Sequence, residues 1–129
     1  VNFKFYKKPQ HELINSLPFV RFLLSERLNF SIELLRRTQL TKADRVIIGY
    51  DKDADKMCVK KMGSGKGSGL KIVPIGATGY ARMGQISLKS VIKFFNLEKV
   101  IVFKTRIYPD VIKKGYLEFY LNKTKPIGL

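Results

Sequence analysis

Residues 30–61 read FSIELLRRTQLTKADRVIIGYDKDADKMCVKK, and the order of their parts decides the fold class. Ser31 is a residue type that caps helices, and in the IELLRRTQL that follows it Leu34, Leu35 and Thr38 fall on one side. Lys42, Ala43 and Asp44 make a turn. In RVIIGY, Val46, Ile48 and Tyr50 share one face of a strand, the polar DKDADK turns the chain, and MCVKK returns beside it. The unit is a helix followed by a hairpin.

Working outward, the same order recurs. Gln85-Ile86-Ser87 leads into LKSVIKFFNL, with Ser87 as cap and Val91, Ile92 and Phe95 as the apolar side. VIVFKTRI, residues 100–107, then alternates as a strand. After a loop ending at Gly115, YLEFYLN sets Leu117, Phe119 and Leu121 against Tyr116, Glu118 and Tyr120. A shift of about 56 residues places Phe30-Ser31-Ile32 on Ile86-Ser87-Leu88. The sequence thus predicts one domain over 1–129, with a pseudo-repeat of 29–61 and 85–123 joined by a glycine-rich basic segment, 62–84. One helix and hairpin bury too little apolar surface alone, so the two units are expected to share a sheet or barrel. Within the joining segment, residues 70–75 read as a strand.

Towards the amino terminus, alternation over 3–7 predicts a short strand, and SLPFVRFLLSERL over 16–28 predicts an additional helix, with Ser16 as cap and Pro18 in its first turn. The expected fold class is therefore α+β, with a mostly antiparallel, barrel-like sheet built from two helix-plus-hairpin units and an N-terminal helix.

The chain of 129 residues carries 25 Lys+Arg against 10 Asp+Glu, a net charge of +15. Such self-repulsion favours a polyanionic partner, most often nucleic acid. Between 56 and 97 there are eight basic residues and no acidic one. At 45% hydrophobic the chain is too apolar to stay disordered. No apolar run approaches the roughly 18 residues that span a bilayer, and the first ten residues lack a signal-peptide core, so no membrane partner and a cytoplasmic location are expected.

Several familiar chemistries fail on spacing. A phosphate loop would need glycine where Lys60 stands and Ser or Thr where Gly67 follows Lys66. A calcium loop opening at Asp51, Asp53 and Asp55 would need glycine at Lys56 and glutamate at Met62, so these aspartates read as a solvated hairpin turn. One cysteine, Cys58, and one histidine, His11, give neither a disulfide nor a zinc set; Cys58 reads as a small core residue and His11 as a surface one. The remaining carboxylates form no recognisable acid/base pair. No catalytic residue, metal or cofactor is expected, and the chain is read as a non-enzyme.

What remains is binding. Arg36 and Arg37 end the first helix, where cations also suit the helix dipole. Lys42 and Arg45 follow at the turn, Lys60, Lys61, Lys66, Lys71 and Arg82 flank the glycine-rich segment, and Lys89 and Lys93 lie four apart on the second helix. Lysines dominate this set, a composition that favours phosphate contacts of low sequence specificity.

Residues 30–61, with ISLKSVIKFFNLEKVIVFKTRI and GYLEFYLNK, resemble the half-unit of AbrB-like swapped-hairpin transcription factors, and also small uncharacterised proteins of phages and mobile elements in gut bacteria. The resemblance implies a barrel, here within one chain, and DNA gripped by basic strands and loops, placed on Arg36, Arg37, Lys42 and Arg45. The proline usual before the helix is absent, and Ala43-Asp44 replaces a Gly-Asp turn.

Together these features predict a basic protein that binds double-stranded DNA as an accessory or regulatory factor of a phage or mobile element in a bacterial host. The alternative is a structural or interaction protein: a virion component, or an inhibitor that docks on an acidic protein. Its surface would be the apolar run 19–24 with Phe94, Phe95, Tyr116 and Tyr120, which would also serve self-association.

Overall fold

Val20 and Phe22 face inward while Arg21 and Leu23 are half-exposed, and this period of two makes Val20–Leu23 a strand, β1, in the computed structural model. The structure describes residues 1–7, 17–62, 69–76 and 83–125. β2 (Arg27–Phe30) pairs antiparallel with β1 across a short turn in which Glu26 adopts a left-handed φ of 59°. The helix expected over 16–28 is therefore a hairpin in its described part. Aromatic and β-branched residues at alternate positions outweigh the helical spacing of the same apolar set.

Ser31 then caps α1 (Ile32–Thr38): its Oγ accepts from the Leu34 amide at 3.2 Å and from the Phe19 amide at 2.9 Å. One hydroxyl thus starts the helix and ties it to the entrance of β1, a cap contributing about 1 kcal/mol. β3 (Arg45–Asp51) and β4 (Lys56–Lys61) form the expected hairpin. Asp51 Oδ1 accepts from the amides of Asp53 and Ala54, so the aspartates close a turn, as their sequence suggests.

The strand expected over 70–75 is divided. β5 (Leu70–Lys71) joins β3, β6 (Val73–Ile75) joins β7 (Met83–Ser87), and the buried Ile72 lies where the chain passes between sheets. Ser87, the expected cap, is instead the last residue of β7. Leu88 takes the cap position of α2 (Lys89–Phe95) without a side-chain hydrogen bond. Leu88 is fully buried, so apolar burial outweighs capping at this junction.

Over 100–107 only β8 (Arg106–Ile107) is a strand. Lys104 turns to a φ of 65° and its amide bonds the Phe22 carbonyl. β9 (Val111–Lys113) and β10 (Tyr116–Tyr120) close the chain as a hairpin through Gly115, whose φ of 70° suits a residue without a side chain. Residues 3–7, expected as a strand, take no regular secondary structure, and Phe3, Phe5 and Tyr6 are exposed.

Among the described residues ten strands make two five-stranded sheets, β6-β7-β2-β1-β8 and β5-β3-β4-β10-β9, with every strand ladder antiparallel and an isolated parallel bridge between Phe22 and Phe103. The fold is α+β and mostly antiparallel, but no barrel closes, because the sheets keep separate edges. Their inner faces share one apolar cluster, in which the rings of Phe22 and Phe119 lie 6.0 Å apart across the sheets. The helices sit at opposite ends of the second sheet. The Thr38 carbonyl of α1 accepts from Gly115 at the Lys61 end, while Phe95 of α2 stacks on Tyr50 at 5.7 Å near the other end.

Candidate nucleic-acid interface

In β3, Val46 points into the core, so Arg45 and Ile47 point outward. The ladder register then fixes a row on the outer face of the second sheet. Lys71 stands opposite Arg45, Lys60 opposite Ile47, Tyr116 opposite Lys60 and Lys113 opposite Tyr116. Neighbouring strands lie about 4.8 Å apart, so Tyr116 sits between two lysines within about 10 Å.

The row opens at its end into a cavity of about 750 Å³, walled by Arg45, Lys60, Lys61, Lys114 and Tyr116 and backed by the end of α1. Asp44 is the one carboxylate among the described residues of this wall, and it holds Lys61 at 3.2 Å. Burial opposes its charge, yet the Thr41 amide at 2.8 Å and the Lys61 ammonium outweigh that and keep its pKa below the ordinary aspartate value. Arg45 Nη1 donates to the Gly69 carbonyl, which aims the guanidinium along the wall. Arg45, Lys60 and Lys114 have no carboxylate partner among the described residues. Like charges placed directly opposite on adjacent strands cost stability, and Arg45 with Lys71 is such a pair.

The cleft brings together Arg45, Lys60 and Lys61 of the sequence-derived set, with Lys71 opposite Arg45 on the adjoining strand and Lys42 close by in the Thr41-to-Asp44 turn. Arg36 and Arg37, in the last turn of α1, pair instead with Glu33 at 3.1 and 3.0 Å on the exposed side of the helix. Lys89 and Lys93 share an exposed face of α2, at the far end of the sheet, so they do not join the cleft. Lys66 and Arg82 lie outside the described residues, as does His11.

Sequence reasoning missed Lys114 and Lys113, because their loop was read only as a connection to Gly115. It also missed Arg21, which stands opposite Arg106 in the first sheet; both guanidiniums lie over the Phe19 ring, at 5.3 and 4.3 Å. Cys58, expected in the core, is half-buried on the outer face opposite Glu118. Of the apolar run 19–24, Phe19, Val20 and Phe22 are buried in the core, which leaves Leu24 as its exposed residue.

Below the basic row the same face changes character. Lys56 Nζ bridges Asp110 and Glu118, both at 2.8 Å, and lies 4.6 Å from the Tyr120 ring centroid. These carboxylates raise the lysine pKa, the Asp110 contact most strongly. The Tyr116 hydroxyl donates to Glu118, which pushes the phenol up to about 12, while Lys56 foremost holds the Glu118 carboxyl below its usual range. Two acids and one lysine thus shut this part of the face to anions and leave the upper row open.

The titration has a definite sign. Stabilisation from neutral Tyr116 is complete below the ordinary phenol range near 10 and is lost as pH rises towards 12. Stabilisation from ionised Glu118 is present above the ordinary carboxylate range and is lost as pH falls through its depressed pKa. Phenolate absorbance should show Tyr116 titrating late, beside Tyr50, whose hydrogen bond to Asp55 also raises its phenol pKa, and Glu118→Gln should return Tyr116 alone towards 10. An unchanged curve in that variant would mean that Glu118 does not hold the proton.

No group of three metal-ligating side chains occurs among the described residues, and no helix among them is long and apolar enough to cross a membrane. In comparisons with known proteins, no family model, no curated protein and no solved structure matches the chain.

Proposed function

We propose that this protein binds nucleic acid, with double-stranded DNA as its preferred ligand, and acts as a non-enzymatic accessory or regulatory factor. The observation that carries the reading is the cleft, where Arg45, Lys60 and Lys114 converge with no carboxylate partner among the described residues and Lys71 stands opposite Arg45. A phosphate backbone would relieve the repulsion of that pair, and contacts from lysines of this kind need no particular base sequence. The flanking row of Lys60, Tyr116 and Lys113 extends the basic track across the sheet face.

The test is a salt titration of binding to a labelled random duplex of about 30 base pairs, beside single-stranded DNA and RNA of equal length. Binding to the duplex should fall linearly on a log-log plot between ~50 and ~200 mM salt, with a slope of about −0.9 for each phosphate neutralised. Tighter binding to either single strand would replace the duplex as ligand. Absence of binding to all three near ~0.15 M would remove the nucleic-acid reading.

The interaction-protein reading keeps one observation of its own. Phe94 is 78% exposed at the end of α2, edge-on to Phe95 at 4.8 Å, where an apolar ring gains nothing from water.

A further inference from the structure

A second concavity lies on the other side of α1. Leu35, Leu40, Ile72, Pro74 and Met83 line a groove of about 420 Å³ between the helix and the β6–β7 hairpin. It shares Lys42, Ile72 and Pro74 with an adjoining hollow of about 370 Å³ that also includes Lys71. The floor is open because of a glycine. A Cβ at Gly84 would stand 3.0 Å from Ile72 and 3.1 Å from Leu35, so only the missing side chain lets α1 settle against β7 and leave the groove beside it.

Charge separates this groove from an ordinary crevice. Arg36, Lys42 and Lys71 stand at its rim, Arg36 also holding Glu33 on the exposed side of α1, and no carboxylate among the described residues lines either part. Ile32, 37% exposed, extends the apolar floor to the surface at the start of α1. An apolar floor of this width is of no use to a phosphate backbone. A second copy of this chain, at +15, would meet the rim with like charge. A bilayer offers a flat surface, not a ridge that enters a groove.

We propose that this groove is a docking site for an acidic segment of a partner protein that carries two or three large apolar side chains. The apolar side chains fill the floor, and the flanking carboxylates meet Arg36, Lys42 and Lys71. The inference stands independently of the nucleic-acid reading. Because Lys42 and Lys71 lie beside the cleft as well, the two ligands would oppose each other: an acidic partner in the groove lowers affinity for nucleic acid, and the coupling is reciprocal.

The experiment uses fluorescein-labelled synthetic peptides and the full chain. One peptide alternates Glu and Asp with three Leu or Phe residues; a second keeps its charge but carries Ser at the apolar positions. The first should bind at least tenfold more tightly, since each large side chain buried adds about 1.5 kcal/mol or more. Equal binding of the two peptides would reduce the effect to attraction by net charge and overturn the proposal.

Ile32→Glu places a carboxylate at the mouth of the groove and in the first turn of α1, where a helix tolerates it. It should weaken the first peptide at least tenfold with an unchanged circular dichroism spectrum. Ile32→Ala, gentler on the fold, should weaken it by a smaller factor. Unchanged affinity in both variants would place the peptide elsewhere. Neutralising Lys60 and Lys114 should weaken duplex binding and leave peptide binding close to wild type, so loss of one activity does not disguise loss of the other. Displacement of the peptide from wild-type protein by duplex with no difference between the two peptides would assign the groove to nucleic acid.

Discussion

Phe119→Ala should lower the free energy of unfolding by about 3–5 kcal/mol, the usual cost of truncating a fully buried aromatic ring. Phe119 has no exposed surface and faces Phe22 across the two sheets at 6.0 Å, with the rings tilted by 58°. The ring therefore does more than fill volume. It joins β10 of the second sheet to β1 of the first, and a tilted aromatic pair adds roughly 0.5–1.5 kcal/mol beyond area burial. Small domains hold only about 5–15 kcal/mol in all, and the self-repulsion of a +15 chain narrows that margin. Urea unfolding followed by circular dichroism measures the loss. Phe119→Leu, which keeps most of the volume, should cost far less. If the Ala variant unfolds at the wild-type midpoint, the two sheets do not share this core.

That core also shows where sequence pattern was informative. The hairpin around residues 51–55 and the strand after Gly115 were legible because alternation is clear there: Val46, Val59, Leu117 and Phe119 point inward and Asp51 closes its turn, whereas β9, the partner across Gly115, lies in residues that read as a loop. α1 was legible for the same reason, since Ser31 does what a cap residue does. Residues 16–28 misled because FVRFLL satisfies a helical face and a strand equally well. Partner strands decided the matter, and periodicity does not show them. Over 100–107 the alternation was real, yet Lys104 breaks the strand by turning to a left-handed φ beneath the Phe22 carbonyl.

The candidate site was legible in composition and only partly in place. Arg45, Lys60 and Lys61 meet because the β3–β4 hairpin pairs in the register that their alternation implied. Lys89 and Lys93 carry the same charge at the far end of the sheet, a separation that depends on topology and not on spacing along the chain. Lys114 joins the cleft through the pairing of β10 with β4, which brings Gly115 against Lys61. Contacts of that range leave no local trace in the sequence.

Replacing Arg45, Lys60 and Lys114 together by Gln should therefore weaken duplex binding on the order of a hundredfold near ~0.15 M salt and reduce the log-log salt slope by about 2.7, three contacts at about 0.9 each. The substitutions lie at exposed positions, and removing Arg45 relieves its opposition to Lys71, so thermal stability should hold or rise. The control is Lys89 and Lys93 replaced by Gln, which removes two charges from an equally exposed helix face. If binding simply followed net charge, that pair would lower the slope by about 1.8, in proportion to the charges removed. If the cleft holds the backbone, the pair should leave the slope close to wild type and the triple variant should not. A fall in proportion to charge in both variants would mean that DNA is held by the whole basic surface, and that the convergence of Arg45, Lys60 and Lys114 has no part in choosing where it lies.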